Sequence, residues 1–401
     1  MTTTINNEHK KLNVPNLRFP EFQGEWEKTK FGDIAVVVGG GTPDTNTSQY
    51  WNGKIQWFTP SEIGRNKYVY NSVRTISEEG LNKSSAKLLP IGTILLSSRA
   101  TVGECSINKK ECTTNQGFQS LIPKENISNE FVYYLIQTKR KDLIRKSCGS
   151  TFLEISANEV RKIVVSIPTI KEQDKIAKLL SLLDERISTQ SKIIEDLKKL
   201  KSAIIENHYN QTEKQTACIA DLGEPFSVGN LAKDDLTETG MPCVIYGELF
   251  TTYGETISQI ESHTNKTTGM ILSKKGDLLF PSSTTVDAMS LISPSVINVD
   301  GVILGGDMFG IHINHNYNAQ YLSYYFNHIA KRQLAKFAKG STIIHLHYAD
   351  IEKAKLLLPS LKEQNRMAKC LVALDKKVSV EQNLLSSLTC QKSYLLQQMF
   401  I

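Results

Sequence analysis

The sequence lacks long apolar runs. Its 401 residues are 40% hydrophobic and 22% charged, as in a folded globular protein, yet none of its apolar runs approaches the roughly 20 residues that a membrane-spanning helix requires. The polar start, residues 1–11, also lacks the apolar core of a secretory signal. We therefore expect no membrane association and a cytoplasmic location.

Signatures of disulfide frameworks, metal sites and catalysis are missing as well. The seven cysteines are scattered and never form a Cys-x-x-Cys pair. The histidine pairs, His312 with His315 and His345 with His347, fit alternation on a strand better than metal binding. The chain has no GxxxxGK[ST] phosphate loop, HExxH motif, GxSxG nucleophile elbow or Asn/Asp-Pro-Pro-aromatic string of amino-methyltransferases. We expect no catalytic residue, metal ion or cofactor in this chain.

What the sequence contains is an internal duplication. Residues 149–201 recur without a gap at 340–392, so the strings Gly-Ser-Thr and Lys-Glu-Gln both return at a shift of 340 − 149 = 191. This period is far longer than that of a solenoid repeat and predicts two domains, each followed by a helix. Two similar modules suggest a function that uses two similar sites.

The duplication sets the predicted domain boundaries and fold class. Short apolar segments separated by turn-rich stretches predict mixed domains rich in short strands. In chain order, we predict an N-terminal extension at 1–20, domain 1 at 21–166, a central helix at 167–211, domain 2 at 212–357 and a C-terminal helix at 358–401. The expected fold class is α+β, with two tandem mixed α/β domains and two long helices that form an antiparallel coiled coil in a pseudo-two-fold repeat.

A helix start is predicted at each Lys-Glu-Gln string. Thr169 with Glu172, and Ser360 with Glu363, have the spacing of a capping box. In such a box the hydroxyl accepts a hydrogen bond from the third helical N–H, and the glutamate accepts one from the N–H of the capping residue.

Apolar residues behind these starts recur at alternating four- and three-residue steps, the period of a heptad seam. The two seams match position for position: Ile176, Leu180, Leu183, Ile187, Ile194, Leu197 and Ile204 in the first helix, and Met367, Leu371, Leu374, Val378, Leu385, Leu388 and Leu395 in the second. A helix from 170 to about 207 would be about 55 Å long at 1.5 Å per residue, and so narrow a stripe suits one partner helix. We predict an intramolecular antiparallel pair; the alternative is two separate core helices. Polar Gln190 and Glu381, at equivalent positions, are predicted to set the register, with exposure near a helix end as the alternative.

A weaker internal match aligns residues 92–102 with 276–286 at a different shift, 276 − 92 = 184. At this shift Arg99 corresponds to Ser283. Positions that the copies share should serve the fold, backbone contacts or the surface that meets the partner helix. Positions that differ are where two different ligands could be distinguished.

The order of domain, helix, domain and helix resembles the specificity subunit of a type I restriction-modification system. The resemblance is carried by Val14-Pro-Asn-Leu-Arg-Phe-Pro-Glu-Phe with Gly24-Glu-Trp, by Gly40-Gly-Thr-Pro and Gly149-Ser-Thr, and by the Pro-x-x-Lys-Glu-Gln starts at 168 and 359. The second copy departs from this pattern, because Ser227-Val-Gly-Asn stands where a Gly-Gly-Thr-Pro loop is expected.

The resemblance implies two target-recognition domains, each reading one half of a bipartite, asymmetric sequence in double-stranded DNA. It also implies that the helix pair sets the spacer and docks two modification (methyltransferase) subunits, which motor-nuclease restriction subunits join. S-adenosylmethionine, ATP and magnesium would then be bound by those partners, and the chain itself would not be an enzyme. The net charge of +6 permits an anionic partner such as DNA.

Candidate DNA contacts lie in loops. Arg99 follows a strand and can form a bidentate pair with guanine, with a surface salt bridge as the alternative. Asn115 and Gln116 could pair with adenine, although amide-rich turns are common. The full set of candidates is Thr42, Pro43, Ser98, Arg99, Asn115, Gln116, Ser150 and Thr151 in domain 1, and Ser282, Ser283, Thr284, Thr285, Ser341, Thr342 and His345 in domain 2.

Two other functions compete with DNA recognition. The chain could be a coiled-coil protein–protein adaptor that joins two partners without touching nucleic acid. It could also be a stand-alone nuclease or methyltransferase with an unrecognised site, in which case the purified chain would be active without partners.

Overall fold

A computed structural model of the chain describes residues 12–149 and 153–401, in two compact units. Unit 1 is formed by Met1–Gln190 together with Leu384–Ile401, and unit 2 by Ser191–Asn383. Each unit therefore contains one mixed domain and a part of both long helices.

Unit 1 begins with short strands and short helices. Its strands are β1 (Glu27–Lys30), β2 (Ala35–Gly39), β3 (Trp51–Phe58), β4 (Tyr68–Val69), β5 (Arg74–Ile76), β6 (Ile94–Leu96), β7 (Cys105–Asn108), β8 (Cys112–Thr114), β9 (Gln119–Pro123) and β10 (Val164–Ile167). Its helices are α1 (Phe31–Ile34), α2 (Glu78–Asn82), α3 (Asn129–Thr138), α4 (Arg140–Arg145) and α5 (Ala157–Arg161), followed by α6 (Ile170–Gln211), which continues into unit 2.

The central sheet of unit 1 has the strand order β2-β9-β6-β7-β4. Strands β4 and β7 are parallel, and the other neighbours are antiparallel. The middle strand β6 is buried along its whole length, which explains its uninterrupted run of Ile and Leu. A second sheet of order β5-β3-β8 and the antiparallel pair β1-β10 complete the domain.

Unit 2 repeats this plan with additional strands. Its strands are β11 (Gln215–Cys218), β12 (Gly223–Ser227), β13 (Leu236–Thr237), β14 (Met241–Ile245), β15 (Thr256–Ile257), β16 (Ser262–Thr264), β17 (Ile271–Leu272), β18 (Asp277–Pro281), β19 (Ser283–Thr284), β20 (Ser295–Ile297), β21 (Ile303–Gly305), β22 (Met308–Ile313), β23 (Ile344–His345) and β24 (Lys355–Leu358). Its helices are α7 (Glu248–Thr251), α8 (Ala288–Leu291), α9 (Ala319–His328), α10 (Lys331–Leu334), α11 (Tyr348–Ile351) and α12 (Leu361–Gln398), the last of which ends in unit 1.

The sheets of unit 2 correspond to those of unit 1. The order β12-β22-β18-β20-β15 matches that of the central sheet, including the parallel last pair, β15 with β20. The pair β11-β24 matches β1-β10, and the parallel pair β14-β21 matches β3-β8. This α+β architecture, present twice, confirms the fold class that the sequence predicts.

The first turns of the long helices are part of the domain cores. In unit 1, Ile176 and Leu180 of α6 are buried in the same cluster as Phe131 of α3, on which Phe400 stacks with ring centroids 5.1 Å apart. In unit 2, the equivalent residues of α12, Met367 and Leu371, join the core beside α9. The first two seam positions of each helix therefore serve the domain core, which the heptad pattern alone does not predict.

All of the predicted seam residues are buried or half-buried. Several apolar residues of the same helices that lie off the seam are exposed, among them Leu182, Leu200 and Val380, although Ile205 is buried in the core of unit 2. Gln190 and Glu381 are buried, at 6% and 8% exposure, so their polarity is not explained by exposure near a helix end; their role in setting the register stays a prediction. No helix of residues 12–149 and 153–401 has an apolar stretch sufficient to span a bilayer.

The glutamates of the predicted capping boxes bind other partners, so this part of the prediction is wrong. Glu172 is buried, forms an ion pair with Arg18 at 2.8 Å and accepts a hydrogen bond from Trp26 Nε1 at 3.2 Å. Glu363 contacts His208 at 3.1 Å and Arg366 at 2.8 Å. The reason is that Arg18, Trp26 and His208 from distant segments, and Arg366 from the same helix, compete for the carboxylates more effectively than one exposed N–H.

Candidate nucleic-acid interface and helix pair

Four loops of unit 1 come together beside the central sheet, and they carry the described candidates of domain 1, namely Thr42, Pro43, Ser98, Arg99, Asn115 and Gln116. The loop of residues 40–43 follows β2, and in it Gly41 N donates to Thr114 O at 2.8 Å. The loop after β6 is tied to the loop after β8 by Ser98 N, which donates to Gly117 O at 2.8 Å. The loop before α5 joins them through Ile155 N, which donates to Ser98 O at 3.0 Å.

Gly40 is required because its backbone lies very close to that of the loop after β8. A Cβ at Gly40 would lie 1.9 Å from Asn115 O, so only glycine permits the Gly-Gly-Thr-Pro loop to rest on its neighbour. The Gly-Ser-Thr string has a related requirement in both copies, since Gly149 and Gly340 have φ of 129° and 115°. The recurrence of this glycine therefore reflects a requirement of the backbone.

Arg99 is exposed on this cluster and is paired. Its Nε lies 2.8 Å from Glu154 Oε1, and both side chains are partly exposed, at 44% and 41%. The next residue, Ala100, has φ of 57°, a left-handed conformation that is unfavourable for a residue with a Cβ. Two bonds to the carbonyl of Arg99 hold this turn, from Thr101 N at 2.6 Å and from Ser97 Oγ at 3.0 Å.

The side-chain amides of Asn115 and Gln116 already form hydrogen bonds within the loops. Asn115 Oδ1 accepts a hydrogen bond from Gly117 N at 2.9 Å, so a bidentate pair with adenine would require this turn to open. Gln116 is exposed, and its Oε1 accepts a hydrogen bond from Thr42 Oγ1 at 2.5 Å. Pro43 and Ser98 are buried and support the loops from inside. Ser150 and Thr151 lie outside the described residues.

Unit 2 builds the same framework. Ser282 N donates to Asp307 O at 2.8 Å, and Leu346 N donates to Ser282 O at 2.9 Å, as Ser98 does with its neighbours in unit 1. Ser282 and Ser283 are buried and His345 and Thr284 are half-buried; the exposed candidates are Thr285, Ser341 and Thr342. The ring of His345 stacks with that of His347, with centroids 6.0 Å apart.

One pair of residues occupies an equivalent place in both frameworks but differs chemically. In unit 1, Arg99 and Glu154 form an antiparallel β-bridge. In unit 2, Ser283 and His345, at shifts of 184 and 191, are directly paired between β19 and β23. We call these two residues the bridge pair of each unit.

Glu154 is the member of the bridge pairs that was not predicted from the sequence. Its signal was available, because it stands 191 residues before His345, which was a candidate. The same shift relates the flanking bridges, Cys148 with Glu154 and Lys339 with His345. A consistent comparison of the copies would have found it.

The helix pair carries the same ion pair in both units. Within unit 2, α6 and α12 are antiparallel. Lys201 Nζ of α6 lies 2.9 Å from Asp375 Oδ1 of α12, whereas His208, further along α6, contacts Glu363, which is earlier in α12. Within unit 1, Lys392 Nζ lies 2.6 Å from Asp184 Oδ1. Each residue of one pair is 191 positions from its counterpart in the other, as a pseudo-two-fold repeat requires.

In both ion pairs, a tyrosine hydroxyl donates a hydrogen bond to the aspartate. Tyr134 donates to Asp184 at 2.7 Å, and Tyr324 donates to Asp375 at 2.5 Å. Burial raises the pKa of both tyrosines, and the neighbouring aspartate raises it further. Each hydroxyl therefore stays protonated and links its domain to the helix pair.

Unit 2 has an additional carboxylate at this point. Glu255 lies 2.9 Å from both Lys201 Nζ and His328 Nε2. Burial by itself would raise the pKa of Glu255, but the hydrogen bond from His328 and the charge of Lys201 outweigh burial and lower the pKa to about 2. The carboxylate is thus ionised, and it is stabilised by its two partners.

Metal-binding chemistry is not seen in the part of the chain that the structure describes, where no cluster of three or more His, Cys, Asp or Glu side chains could hold an ion. The loops of both units offer hydroxyls, amides, a guanidinium and imidazoles. These groups form hydrogen bonds with base edges and phosphates.

Comparisons with known proteins agree with this geometry. A family model described as the type I restriction modification DNA specificity domain matches residues 23–199 and again 212–389. The specificity subunit of the type I restriction enzyme MjaIX from Methanocaldococcus jannaschii is 39% identical over 189 residues, which are 46% of this chain. In that match the chain spans 44% of the relative's length, a little under half.

Two further proteins match over most of the chain. The MjaVIII specificity subunit of the same organism is 22% identical over 392 residues, covering 91% of this chain and 89% of the relative. The crystal structure of a type I restriction-modification S subunit from M. genitalium covers 97% of this chain and 99% of its own, with a TM-score of 0.59 at 17% identity. The latter likeness concerns the fold.

Proposed function

Because the chain belongs to the family of the type I restriction modification DNA specificity domain, we propose that it is the DNA-specificity subunit of a type I restriction-modification complex. Each unit then reads one half of a bipartite, asymmetric sequence in double-stranded DNA. The observation that carries this proposal is the bridge pair, an arginine with a glutamate in one unit and a serine with a histidine in the other. Two equivalent frameworks with different side chains suit two half-sites of different sequence.

Affinity and sequence choice have separate sources in this proposal. Lysines and arginines on phosphates supply most of the affinity, which is salt-dependent and indifferent to sequence. The exposed loop candidates, such as Arg99 and Gln116 in unit 1 and Thr285 and Thr342 in unit 2, supply the base contacts. Few side chains are needed, since each good bidentate pair discriminates by about 1–3 kcal/mol.

Catalysis belongs to partner subunits. Two modification (methyltransferase) subunits dock on the helix pair, and restriction subunits with motor and nuclease activity join them. S-adenosylmethionine, ATP and magnesium are bound by those partners, so the purified chain alone should neither methylate nor cleave DNA. A role in reading DNA places the complex in the cytoplasm.

The helix pair sets the spacer between the half-sites. Helices α6 and α12 have 42 and 38 residues, about 60 Å at 1.5 Å per residue, whereas one turn of DNA separates half-sites by about 34 to 36 Å. Deleting one heptad from both helices keeps the seam in register and should change the gap that the protein accepts. A gap that stays the same would contradict this role, and Lys198→Ala, at an exposed position off the seam, is the control that leaves helix length unchanged.

Filter binding of the full chain assembled with its modification subunit tests the proposal as a whole. We expect retention of DNA that depends on sequence and falls steeply as salt rises. If the assembly retains no DNA selectively at any salt concentration, the coiled-coil adaptor becomes the better explanation. Footprinting of the retained DNA should show two protected patches with an unread gap between them.

A further inference from the structure

Glu154 is close to the predicted DNA contact of unit 1, and its pairing with Arg99 has an informative geometry. The carboxylate oxygen Oε1 faces Nε of Arg99 at 2.8 Å. Nε lies on the stem side of the guanidinium, so the terminal nitrogens Nη1 and Nη2 form the opposite edge of the plane. Neither nitrogen donates a hydrogen bond to any of the described residues. They are the edge that forms two parallel bonds with guanine O6 and N7.

Stability does not account for this ion pair. Both side chains are partly exposed, at 44% and 41%, and exposed ion pairs add little to folding stability because water screens them. The backbone of the loop is already fixed by Ser98 N to Gly117 O and Ile155 N to Ser98 O, at 2.8 and 3.0 Å. What the carboxylate changes is the orientation of a long side chain with several rotatable bonds.

The backbone beneath Arg99 is also held in a defined conformation. Ala100 has φ of 57°, which a residue with a Cβ adopts only when surrounding contacts impose it. The bridge between Arg99 and Glu154, and the bonds from Thr101 N and Ser97 Oγ to the carbonyl of Arg99, impose it here. Loop and side chain are thus both preorganised, as a site that discriminates between bases requires.

We propose that Glu154 is a positioning residue that orients Arg99 to read one guanine in the major groove of the half-site bound by unit 1. This inference rests on the proposed function. In unit 2 the equivalent bridge pair is Ser283 with His345, so no arginine fork is presented there and the corresponding base must be chosen differently. The ligand assigned to the Arg99–Glu154 pair is therefore a guanine base edge, and phosphate is not its main ligand.

The experiment measures base preference one position at a time. The full chain, assembled with its modification subunit, is presented with DNA sites in which each base pair of both half-sites is varied singly, and methylation of every site is quantified by sequencing. We expect Arg99→Ala to lower discrimination at one G·C pair by roughly 10- to 100-fold. Glu154→Ala should lower discrimination at the same pair, by about tenfold, and the double variant should be no worse than Arg99→Ala.

Conservative variants separate positioning from charge. Arg99→Lys keeps the charge but lacks the fork, so it should retain affinity for random DNA while losing the preference at that pair. Glu154→Asp should retain part of the preference, and Glu154→Gln should lose most of it. Glu159→Ala, a nearby carboxylate that pairs with Lys162 at 2.7 Å, is the matched control and should leave the whole profile unchanged.

The outcomes distinguish this inference from the proposed function. If the unaltered chain shows no base preference in either half-site, the proposed function fails. If it reads both half-sites, and Arg99→Ala loses one position that Glu154→Ala retains, only the positioning role fails. A Glu154→Ala variant that binds all DNA more tightly without relaxing any position would also overturn it, since Glu154 would then merely repel phosphates.

Discussion

The buried glutamines of the two Lys-Glu-Gln strings make the same contacts in unit 1 and unit 2. Gln173 accepts a hydrogen bond from Ser128 N at 3.0 Å and donates to Pro168 O at 2.9 Å. Gln364 accepts from Asn318 N at 2.9 Å and donates to Pro359 O at 2.9 Å. This side chain connects the start of α6 to the start of α3 in unit 1, and the start of α12 to the start of α9 in unit 2. These contacts explain why the glutamine of the string recurs.

The adjacent glutamates differ between the units although they belong to the same strings. Glu172 is 1% exposed and is held by Arg18 and Trp26 from the N-terminal segment. Glu363 is 29% exposed and contacts His208, near the end of α6. The glutamate is thus buried in unit 1, where the N-terminal segment covers it. It is more exposed in unit 2, where the chain runs directly from α6 to β11. Sequence identity between copies guarantees an equivalent position but not an equivalent environment.

The largest expected loss of stability comes from removing the buried glutamate, Glu172. Glu172→Ala leaves the guanidinium of Arg18 without its buried partner, and should lower the free energy of unfolding by about 3 kcal/mol or more. Glu363→Ala removes a more exposed pair and should cost under about 1 kcal/mol. Urea unfolding of the two variants measures both values. Similar losses would contradict the assigned difference in environment.

A smaller but equal effect is expected at the shared glutamines. Gln173→Ala and Gln364→Ala each remove two buried hydrogen bonds and leave a backbone N–H without a partner, which should cost about 2 to 3 kcal/mol per variant. Thermal unfolding of each variant checks this, with the exposed Lys171→Ala and Lys362→Ala as neutral controls. A large loss for one glutamine and none for the other would break the equivalence of the two units.

Acid should destabilise the protein through Glu255, a residue of unit 2. The pKa of Glu255 is lowered from its ordinary 4.5 to about 2, so its contribution to stability is fully present above about pH 5 and is lost as the pH falls toward 2. Between pH 5 and 3 the free energy of unfolding should fall by about 2 kcal/mol from this group. Glu255→Gln should lack this component, whereas the exposed Glu261→Gln should retain it. Equal acid sensitivity in all three proteins would contradict the lowered pKa.

The sequence predicts those features that depend on local spacing. The heptad steps from Ile176 to Ile204 place every seam residue in a buried or half-buried position, because helical period and burial are linked directly. The duplication predicts that the order of strands and helices in one unit recurs in the other, and the sheets confirm this. The fold class was therefore predictable in outline.

Features that depend on distant partners were not predictable in the same way. Arg18 reaches Glu172 across 154 residues, and Arg99 meets Glu154 only because two loops converge. The predicted adenine contact of Asn115 did not take into account that its oxygen closes a turn on Gly117. Such competition between tertiary and local partners leaves no periodic trace in a sequence.

Separate reading of DNA by the two units can be tested by exchanging residues 21–166 for the corresponding domain of another family member, with single-molecule sequencing of methylated DNA as the readout. We expect one half of the recognised sequence to change while the other half and the gap stay the same. A change in both halves, or in neither, would contradict separate reading of DNA by the two units.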